Sequence, residues 1–88
     1  MEFEWDPDKD RTNHAMSFAE AQTVFGDPLA RTFPDPRHSE GEFRYLTIGY
    51  TSAKRLVIVA HAERRGHVRI ITARDASPKE RRFYESES

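Results

Sequence analysis

The sequence contains no cysteine among its 88 residues, which excludes a disulfide framework and a zinc site built on thiolates. A chain of this kind suits a reducing compartment, and we expect it in the cytoplasm. The first ten residues, MEFEWDPDKD, lack the basic and apolar regions of a secretory signal peptide. The longest apolar run, residues 56–60, is far too short to span a membrane. No membrane partner is therefore predicted.

Several kinds of catalytic motif are also missing. The sequence has no glycine-rich phosphate loop and no nucleophile elbow, so we expect neither a nucleoside triphosphatase nor a serine hydrolase. The four histidines are not arranged as zinc ligands, and His61 and His67 flank a predicted turn, so no metal site is predicted. A chain of 88 residues can close one core, which predicts a single domain over residues 1–88.

The charges are distributed unevenly along the chain, although the net charge is only -1. Residues 1–43 contain ten acidic and four basic side chains, whereas residues 44–88 contain five acidic and ten basic ones. The stretch RIITARDASPKERRFYE, residues 69–85, contains four arginines. A basic half of this kind either binds a phosphate-bearing ligand or pairs with the acidic half within the fold, and the charge pattern alone allows both.

Hydrophobic periodicity predicts an α+β domain with an antiparallel sheet. We predict strands at residues 2–5, 29–33, 43–50, 55–62 and 67–73, and helices at residues 8–14, 17–25 and 77–85. The short links at 51–54 and 63–66 predict hairpins, so the last three strands form a β-meander. Capping boxes at 17–20 and 77–80 mark two helix starts. We expect the helices to cover one face of the sheet and residues 34–42 to form an exposed loop.

Alternation along the strand that begins at residue 67 predicts which side chains share a face. Side chains two residues apart point the same way, so Val68, Ile70 and Thr72 are expected to lie with Arg74, and Arg69 on the opposite face. We expect Arg74 at the rim of the sheet, where its strand ends. Arg69 is expected to pair with an acid across the strands.

The remaining chemistry is the binding or cleavage of nucleic acid by arginines. RNA hydrolysis requires few catalytic groups, because the 2′-OH of the substrate is the nucleophile and the protein has only to transfer protons and stabilise negative charge. Arginine suits the second task, since it is permanently charged and binds phosphate with two donors. Arg65 in the second hairpin and Arg81 in the last helix are candidates for binding RNA phosphates.

Four segments resemble, in order and spacing, the BrnT toxins of bacterial type II toxin–antitoxin systems. They are FEWDPDK, HAMSFAEAQTVFGDP, RHSEGEFRYLTIG and RIITARDASPKERRFYE, and together they cover residues 3–85. The resemblance implies a RelE-like fold, with two helices before the meander and a short one after it. It also implies a growth-inhibiting endoribonuclease that needs no metal or other cofactor. The implied partner is a BrnA-like antitoxin with a ribbon-helix-helix region, through which alone the pair contacts operator DNA.

The resemblance also implies roles for five residues. Arg64 and Arg74 correspond to catalytic side chains that stabilise the transition state or the phosphate. Tyr84 is expected to position RNA, and His14 is a candidate acid or base. Arg44 is expected to contact RNA.

One departure from the family pattern opens an alternative. Family members usually have Lys-His-Gly-Val-Ser-Phe where this chain has residues 13–18, so Asn13 replaces a lysine, and Asp10 replaces an asparagine further upstream. The acidic N-terminal segment is a poor RNA surface, so RNA is expected to approach the C-terminal half. The leading hypothesis is an active ribonuclease toxin. The alternative is a catalytically weakened or inactive binding module that acts as co-repressor with a DNA-binding antitoxin.

Overall fold

A computed structural model describes residues 1–38 and 41–86 of the chain. The strands are β1 (Glu2–Trp5), β2 (Arg31–Pro34), β3 (Arg44–Tyr50), β4 (Leu56–Arg64) and β5 (His67–Asp75). The helices are α1 (Pro7–Thr12), α2 (Phe18–Ala21), which continues as a 3-10 helix over Gln22–Gly26, and α3 (Pro78–Glu85). The predicted loop at 34–42 includes a 3-10 turn at Pro36–His38, and its residues 39–40 lie outside the described part.

The predicted capping signals fix the starts of α2 and α3. At α3 the capping box is complete, because the Ser77 hydroxyl accepts from the Glu80 amide (3.2 Å) and the Glu80 carboxylate accepts from the Ser77 amide (2.8 Å). At α2 the Ser17 hydroxyl accepts from the Glu20 amide (3.1 Å), but the Glu20 carboxylate accepts instead from the Thr51 hydroxyl (3.0 Å). Glu20 therefore ties α2 to the β3–β4 turn. None of the helices in the described residues has the length and apolar character needed to cross a membrane.

The five strands form one sheet in the order β1-β5-β4-β3-β2. β1 pairs with β5 in parallel, and all other neighbouring strands are antiparallel, which confirms the predicted meander of β3, β4 and β5. The β4–β5 hairpin turns at Arg65 and Gly66, which have φ of 52° and 80°. Two consecutive left-handed residues form the type of turn that matches the twist of paired strands.

One face of the sheet, here called the closed face, carries Val57, Val59 and Ile70. It is covered by α2 and the turn that follows, through Phe18 and Val24, and all five side chains are almost completely buried. Because these residues lie in one cluster, the apolar stripe of α2 matches the apolar row of the strands. This cluster is the larger part of the core.

The opposite face, here called the open face, carries Ile48 and Ile58. It is covered at one end by α3, whose Tyr84 packs against both. The prediction that the helices all cover one face is therefore wrong. The physical reason lies in β4, where Leu56 and Ile58 alternate with valines, so that both faces of the strand are apolar and both need cover.

A β-bulge interrupts the pairing of β4 with β5. Ala60 is opposite Thr72, but the next residue, His61, is opposite Ile70, so Ile71 is an extra residue in β5. The bulge reverses the sense of alternation in β5 on either side of it.

This reversal changes which arginines share a face. Arg74 is opposite Ile58 and Arg69 is opposite Ala62, and these two β4 residues are four apart, so both arginines lie on the open face. The predicted separation of Arg69 from Arg74 is therefore wrong, because alternation was counted through a residue that has no partner on β4.

Candidate nucleic-acid interface

A groove of about 420 Å³ lies on the open face beside α3, where the helix leaves the sheet uncovered. Strands β3, β4 and β5 supply its floor, and the loop before β3 supplies one wall. We call it the arginine groove. Its rim carries three arginines and an aspartate, and its floor is mainly apolar; the lining residues are Asp35, Arg37, Arg44, Leu46, Ile58, Ala60, Ile71, Thr72 and Arg74.

Arg74 is held in the groove by Glu80 of α3. Its two terminal nitrogens donate to the two carboxylate oxygens of Glu80 at 2.7 and 2.8 Å. The hydrogen bond from Arg74, together with the amide of Ser77, lowers the pKa of Glu80 to about 2, and the same pairing raises the pKa of Arg74. The capping carboxylate of α3 thus also orients an arginine, and both charges persist over the physiological pH range.

Arg44 and Arg64 are connected through Glu42. The Glu42 carboxylate accepts two hydrogen bonds from Arg64, at 2.8 and 3.0 Å, and lies 3.8 Å from the Nε of Arg44. The hydrogen bond from Arg64 is the main cause that lowers the pKa of Glu42. The structure therefore brings together two predicted site residues, with Arg44 in the groove and Arg64 at the end of β4.

Arg69 lies beside this pair on the open face and donates to Glu4 of β1 at 2.6 Å. The prediction that Arg69 pairs with an acid across the strands is confirmed. The acidic first half and the basic second half of the chain thus meet at several ion pairs, here Arg69 with Glu4 and Arg64 with Glu42. Pairing within the fold accounts for part of the charge asymmetry, and the arginine groove holds another part.

Tyr84 lies on the side of α3 that packs against the sheet, and it does not line the groove. Its ring is 6% exposed and stands edge-on to the ring of Tyr50, with centroids 5.5 Å apart. Its hydroxyl donates to Asp27 at 2.7 Å, and burial with this neighbouring carboxylate raises the pKa of Tyr84 to about 12. Asp27 also accepts from the Tyr50 amide at 2.8 Å. This network anchors α3 to β3 and to the end of the 3-10 helix.

The remaining predicted residues lie outside the groove lining. His14 is exposed in the turn after α1, and Arg65 is exposed at the tip of the β4–β5 hairpin. Arg81 is exposed on α3 and donates to the Tyr50 hydroxyl at 3.2 Å. Of the seven predicted site residues, the structure therefore places Arg44 and Arg74 in the groove and Arg64 next to it.

One groove residue that the sequence did not predict is Arg37. Arg37 follows two prolines in a loop, where no periodicity predicts the direction of a side chain. The backbone amide of Asp35 donates to the Arg44 carbonyl at 2.8 Å, which holds this loop against β3. The prediction that Thr72 shares a face with Arg74 is confirmed, whereas Val68 and Ile70, on the other side of the bulge at Ile71, lie on the closed face.

On the closed face, three polar side chains, Thr32, Thr47 and His61, lie in contact with one another, and the last two are buried. The hydroxyls of Thr32 and Thr47 lie 2.7 Å apart, and the Thr47 hydroxyl lies 2.7 Å from Nε2 of His61. Burial lowers the pKa of His61 to about 4, so this imidazole is neutral at physiological pH. Within residues 1–38 and 41–86, no three His, Asp or Glu side chains are grouped in a way that could hold a metal ion.

Known proteins resemble this chain in sequence family and in fold. Residues 5–80 match the family described as the ribonuclease toxin, BrnT, of type II toxin–antitoxin systems. The fold is similar to the crystal structure of the Brucella abortus ribonuclease toxin BrnT, with a TM-score of 0.67 and 24% identity over 88% of this chain and 97% of that chain. At this identity the likeness shows the fold alone. No curated protein sequence matches the chain significantly.

Proposed function

Since this chain belongs to the BrnT family, the ribonuclease toxins of type II toxin–antitoxin systems, we propose that its arginine groove binds and cleaves RNA. The observation that carries the proposal is the concentration of Arg37, Arg44 and Arg74 around one concave surface in a chain of net charge -1. Permanently charged guanidinium groups in a concave site attract phosphate and bind it with paired donors.

RNA cleavage by the substrate's own 2′-OH requires the kind of positive charge that the arginine groove supplies. Attack of the 2′-OH on the adjacent phosphate adds negative charge to the phosphate oxygens, and Arg74 stabilises that charge, while Arg44, two strands away on β3, binds a neighbouring phosphate of the same RNA strand. Arg64 supports Arg44 through their shared Glu42. No metal is needed for a nucleophile that the substrate carries itself, and we propose a metal-independent endoribonuclease.

His14 and Tyr84 have different parts in this proposal. His14, exposed beside the C-terminal end of α1, is the candidate for proton transfer. Tyr84 is buried and hydrogen-bonded to Asp27, so we infer that it acts on RNA indirectly, by fixing α3 and with it Glu80 and Arg74. Arg65 and Arg81 bind phosphates further along the strand.

A type II toxin has an antitoxin partner, and we infer that here it is a BrnA-like protein with a ribbon-helix-helix region. Operator DNA is then contacted only through the antitoxin. We also assign the domain to the RelE-like class and its action to the cytoplasm, where translation and growth are inhibited by RNA cleavage.

The direct test is cleavage of RNA by the purified protein in the presence of EDTA, together with growth after expression from a tightly repressed promoter. Arg74→Ala is expected to lower the cleavage rate by about 10²- to 10³-fold, the usual effect of removing one transition-state donor. Arg82→Ala is the matched control on α3, outside the groove lining, and is expected to cleave normally. A folded Arg74→Ala protein with full activity would show that the groove is not the active site.

A second candidate function rests on Asn13. Its side-chain amide donates to the carbonyls of Met16 (3.0 Å) and Ala73 (2.9 Å), so a neutral group joins α1 to β5 where the family resemblance implies a lysine. This placement favours a binding module that acts as co-repressor with the antitoxin. Such a module changes the affinity of the antitoxin for operator DNA and cuts no RNA at any concentration. Cleavage that appears only in Asn13→Lys would select this alternative.

A further inference from the structure

A second, shallower depression continues the arginine groove across β5. It has a volume of about 330 Å³ and is lined by Lys9, Thr12, Asn13, Ile71 and Thr72. Ile71 and Thr72 also line the arginine groove, so the two concave surfaces meet at the bulge. We call the second surface the Lys9 depression. The two together form one continuous path over the open face.

The charge of Lys9 is not neutralised by the neighbouring aspartates, because each of them bonds to another group. Asp6 accepts from the Asp8 amide at 2.9 Å, Asp8 is paired with Arg11, and Asp10 accepts from the Phe18 amide at 2.8 Å. These hydrogen bonds cap α1 and join it to α2. Lys9 has no carboxylate partner among the residues that the structure describes. The N-terminal segment is acidic overall, but the charge that it presents along this path is positive.

The span from Arg44 to the Lys9 depression sets the minimum length of a ligand that contacts both. Arg44 lies on β3 and the Lys9 depression borders β5, so the two are separated by at least two strand spacings, roughly 10 Å. A single phosphate fills only a part of the two adjoining surfaces, whose volumes are about 420 and 330 Å³. A ligand that contacts both ends must carry successive phosphates on an extended chain.

The floor between the cations indicates the state of the nucleic acid. Leu46, Ile58, Ala60 and Ile71 form an apolar surface that can contact the faces of unpaired bases. In a duplex the bases stay stacked inside the helix and leave such a floor uncovered.

We propose that the Lys9 depression is a second phosphate subsite, and that the substrate is single-stranded RNA that crosses the Ile71–Thr72 bulge from the arginine groove to Lys9. This inference rests on the proposed function of the groove. It assigns to α1 a role in RNA binding that the acidic composition of the segment argued against.

The test uses fluorescence anisotropy with labelled 2′-O-methyl oligonucleotides, in which the nucleophilic hydroxyl is blocked so that binding is measured without cleavage. The probes are a dinucleotide, a hexanucleotide and a duplex of the same sequence. Lys9→Gln is compared with Arg11→Gln, which removes the same charge from the same helix. α1 has no buried residues, so both variants are expected to keep the fold.

Lys9→Gln is expected to weaken binding of the hexanucleotide about fivefold, the upper end for one exposed charge pair. The slope of log Kd against log salt is expected to fall by about 0.7, because the variant neutralises one phosphate fewer on a single strand. Arg11→Gln is expected to match the wild type, and the dinucleotide is expected to bind all three proteins equally.

The outcomes separate this inference from the proposal on which it rests. Equal effects of Lys9→Gln and Arg11→Gln, or tighter binding of the duplex than of the hexanucleotide, overturn the Lys9 subsite for single-stranded RNA. In that case loss of binding in Arg74→Ala still supports the groove. A wild-type protein that binds none of the probes overturns the proposed function itself.

Discussion

The closed and open faces of the sheet are built on the same strands but contain different kinds of side chain. The closed face is covered by α2, and its polar groups, such as Thr47 and His61, bond to one another in the interior. The open face is covered only at one end by α3, and its uncovered part contains Arg44 and Arg74 above an apolar floor. The first arrangement supplies most of the buried apolar surface, and the second leaves charge available to a ligand.

The comparison shows how so small a chain can combine a core with a binding surface. A sheet that is apolar on both faces needs cover on both, yet α3 has only eight residues and reaches only one end of the open face. The arginines occupy what it leaves exposed, and carboxylates hold them in place. We therefore expect substitutions on the closed face to change stability, and substitutions on the uncovered part of the open face to change RNA binding more than stability.

The largest expected effect is on the free energy of unfolding. Removal of a phenylalanine ring that packs on the closed face is compared with removal of a partly exposed ring on α3, which covers one end of the open face. Phe18→Ala on the closed face removes a completely buried ring and is expected to lower the free energy of unfolding by about 3–5 kcal/mol. Phe83→Ala on α3 removes a ring that is 43% exposed and is expected to cost about 1 kcal/mol or less. Urea denaturation followed by circular dichroism measures both. Equal losses would show that the two faces contribute alike to stability.

The second prediction concerns the pH dependence of stability that His61 gives to the closed face. His61 has a pKa of about 4 in the folded protein, below its ordinary value of 6.5, so the unfolded chain binds the proton more strongly. The contribution of His61 is fully present above pH 6.5 and is lost as the pH falls towards 4. The loss is expected to reach on the order of 3 kcal/mol. It is measured from urea unfolding midpoints between these pH values.

The control for this prediction is His61→Phe, which keeps a ring and leaves Thr47 bonded to Thr32. Its stability is expected to change much less between pH 6.5 and 4. A wild-type protein whose stability is flat over that range would mean that His61 is protonated in the fold at mild acidity.

The smallest expected effect concerns Glu80 on the open face. Glu80→Gln loses the charge that pairs with Arg74 and weakens the capping box of α3, which is expected to cost about 1 kcal/mol at neutral pH. Because the folded pKa of Glu80, about 2, lies below its ordinary value of 4.5, its contribution is present above pH 4.5 and is lost as the pH falls towards 2.

Glu80→Gln also tests the open face through its effect on RNA binding. The substitution removes a carboxylate that competes with phosphate for Arg74, so binding of the hexanucleotide is expected to tighten while the fold becomes slightly less stable. Glu85→Gln on the same helix is the control, since Glu85 lies outside the groove lining. Weaker RNA binding by Glu80→Gln would mean that Glu80 is needed mainly to orient Arg74.

Local signals in the sequence predicted much of this structure. The capping serines Ser17 and Ser77 marked the starts of α2 and α3, and the short links indicated both hairpins of the meander. Arg44 and Arg74, identified through the family resemblance, both line the groove. Each of these features depends on a few neighbouring residues or on a motif, which is why one sequence was enough.

Other features depend on contacts between distant segments. The pairing of Asn13 with Ala73, or of Arg69 with Glu4, joins residues about sixty positions apart. Tyr84 could equally have been exposed or buried, because the side of the short helix α3 that meets the sheet is decided by packing. Arg37 belongs to a loop that the Asp35 amide holds against β3 through the Arg44 carbonyl, a contact that no local pattern predicts.

Periodicity, caps, turns and motifs are local properties of the chain, and they were enough to predict the α+β class, the order of the elements and the family. The position of α3 on the face opposite α2 is a result of packing between distant segments, since both faces of β4 are apolar and nothing local assigns a helix to either. The shared position of Arg69 and Arg74 on the open face likewise depends on strand pairing. The bulge at Ile71 arises from the register between β4 and β5, and no pattern within β5 alone records that register.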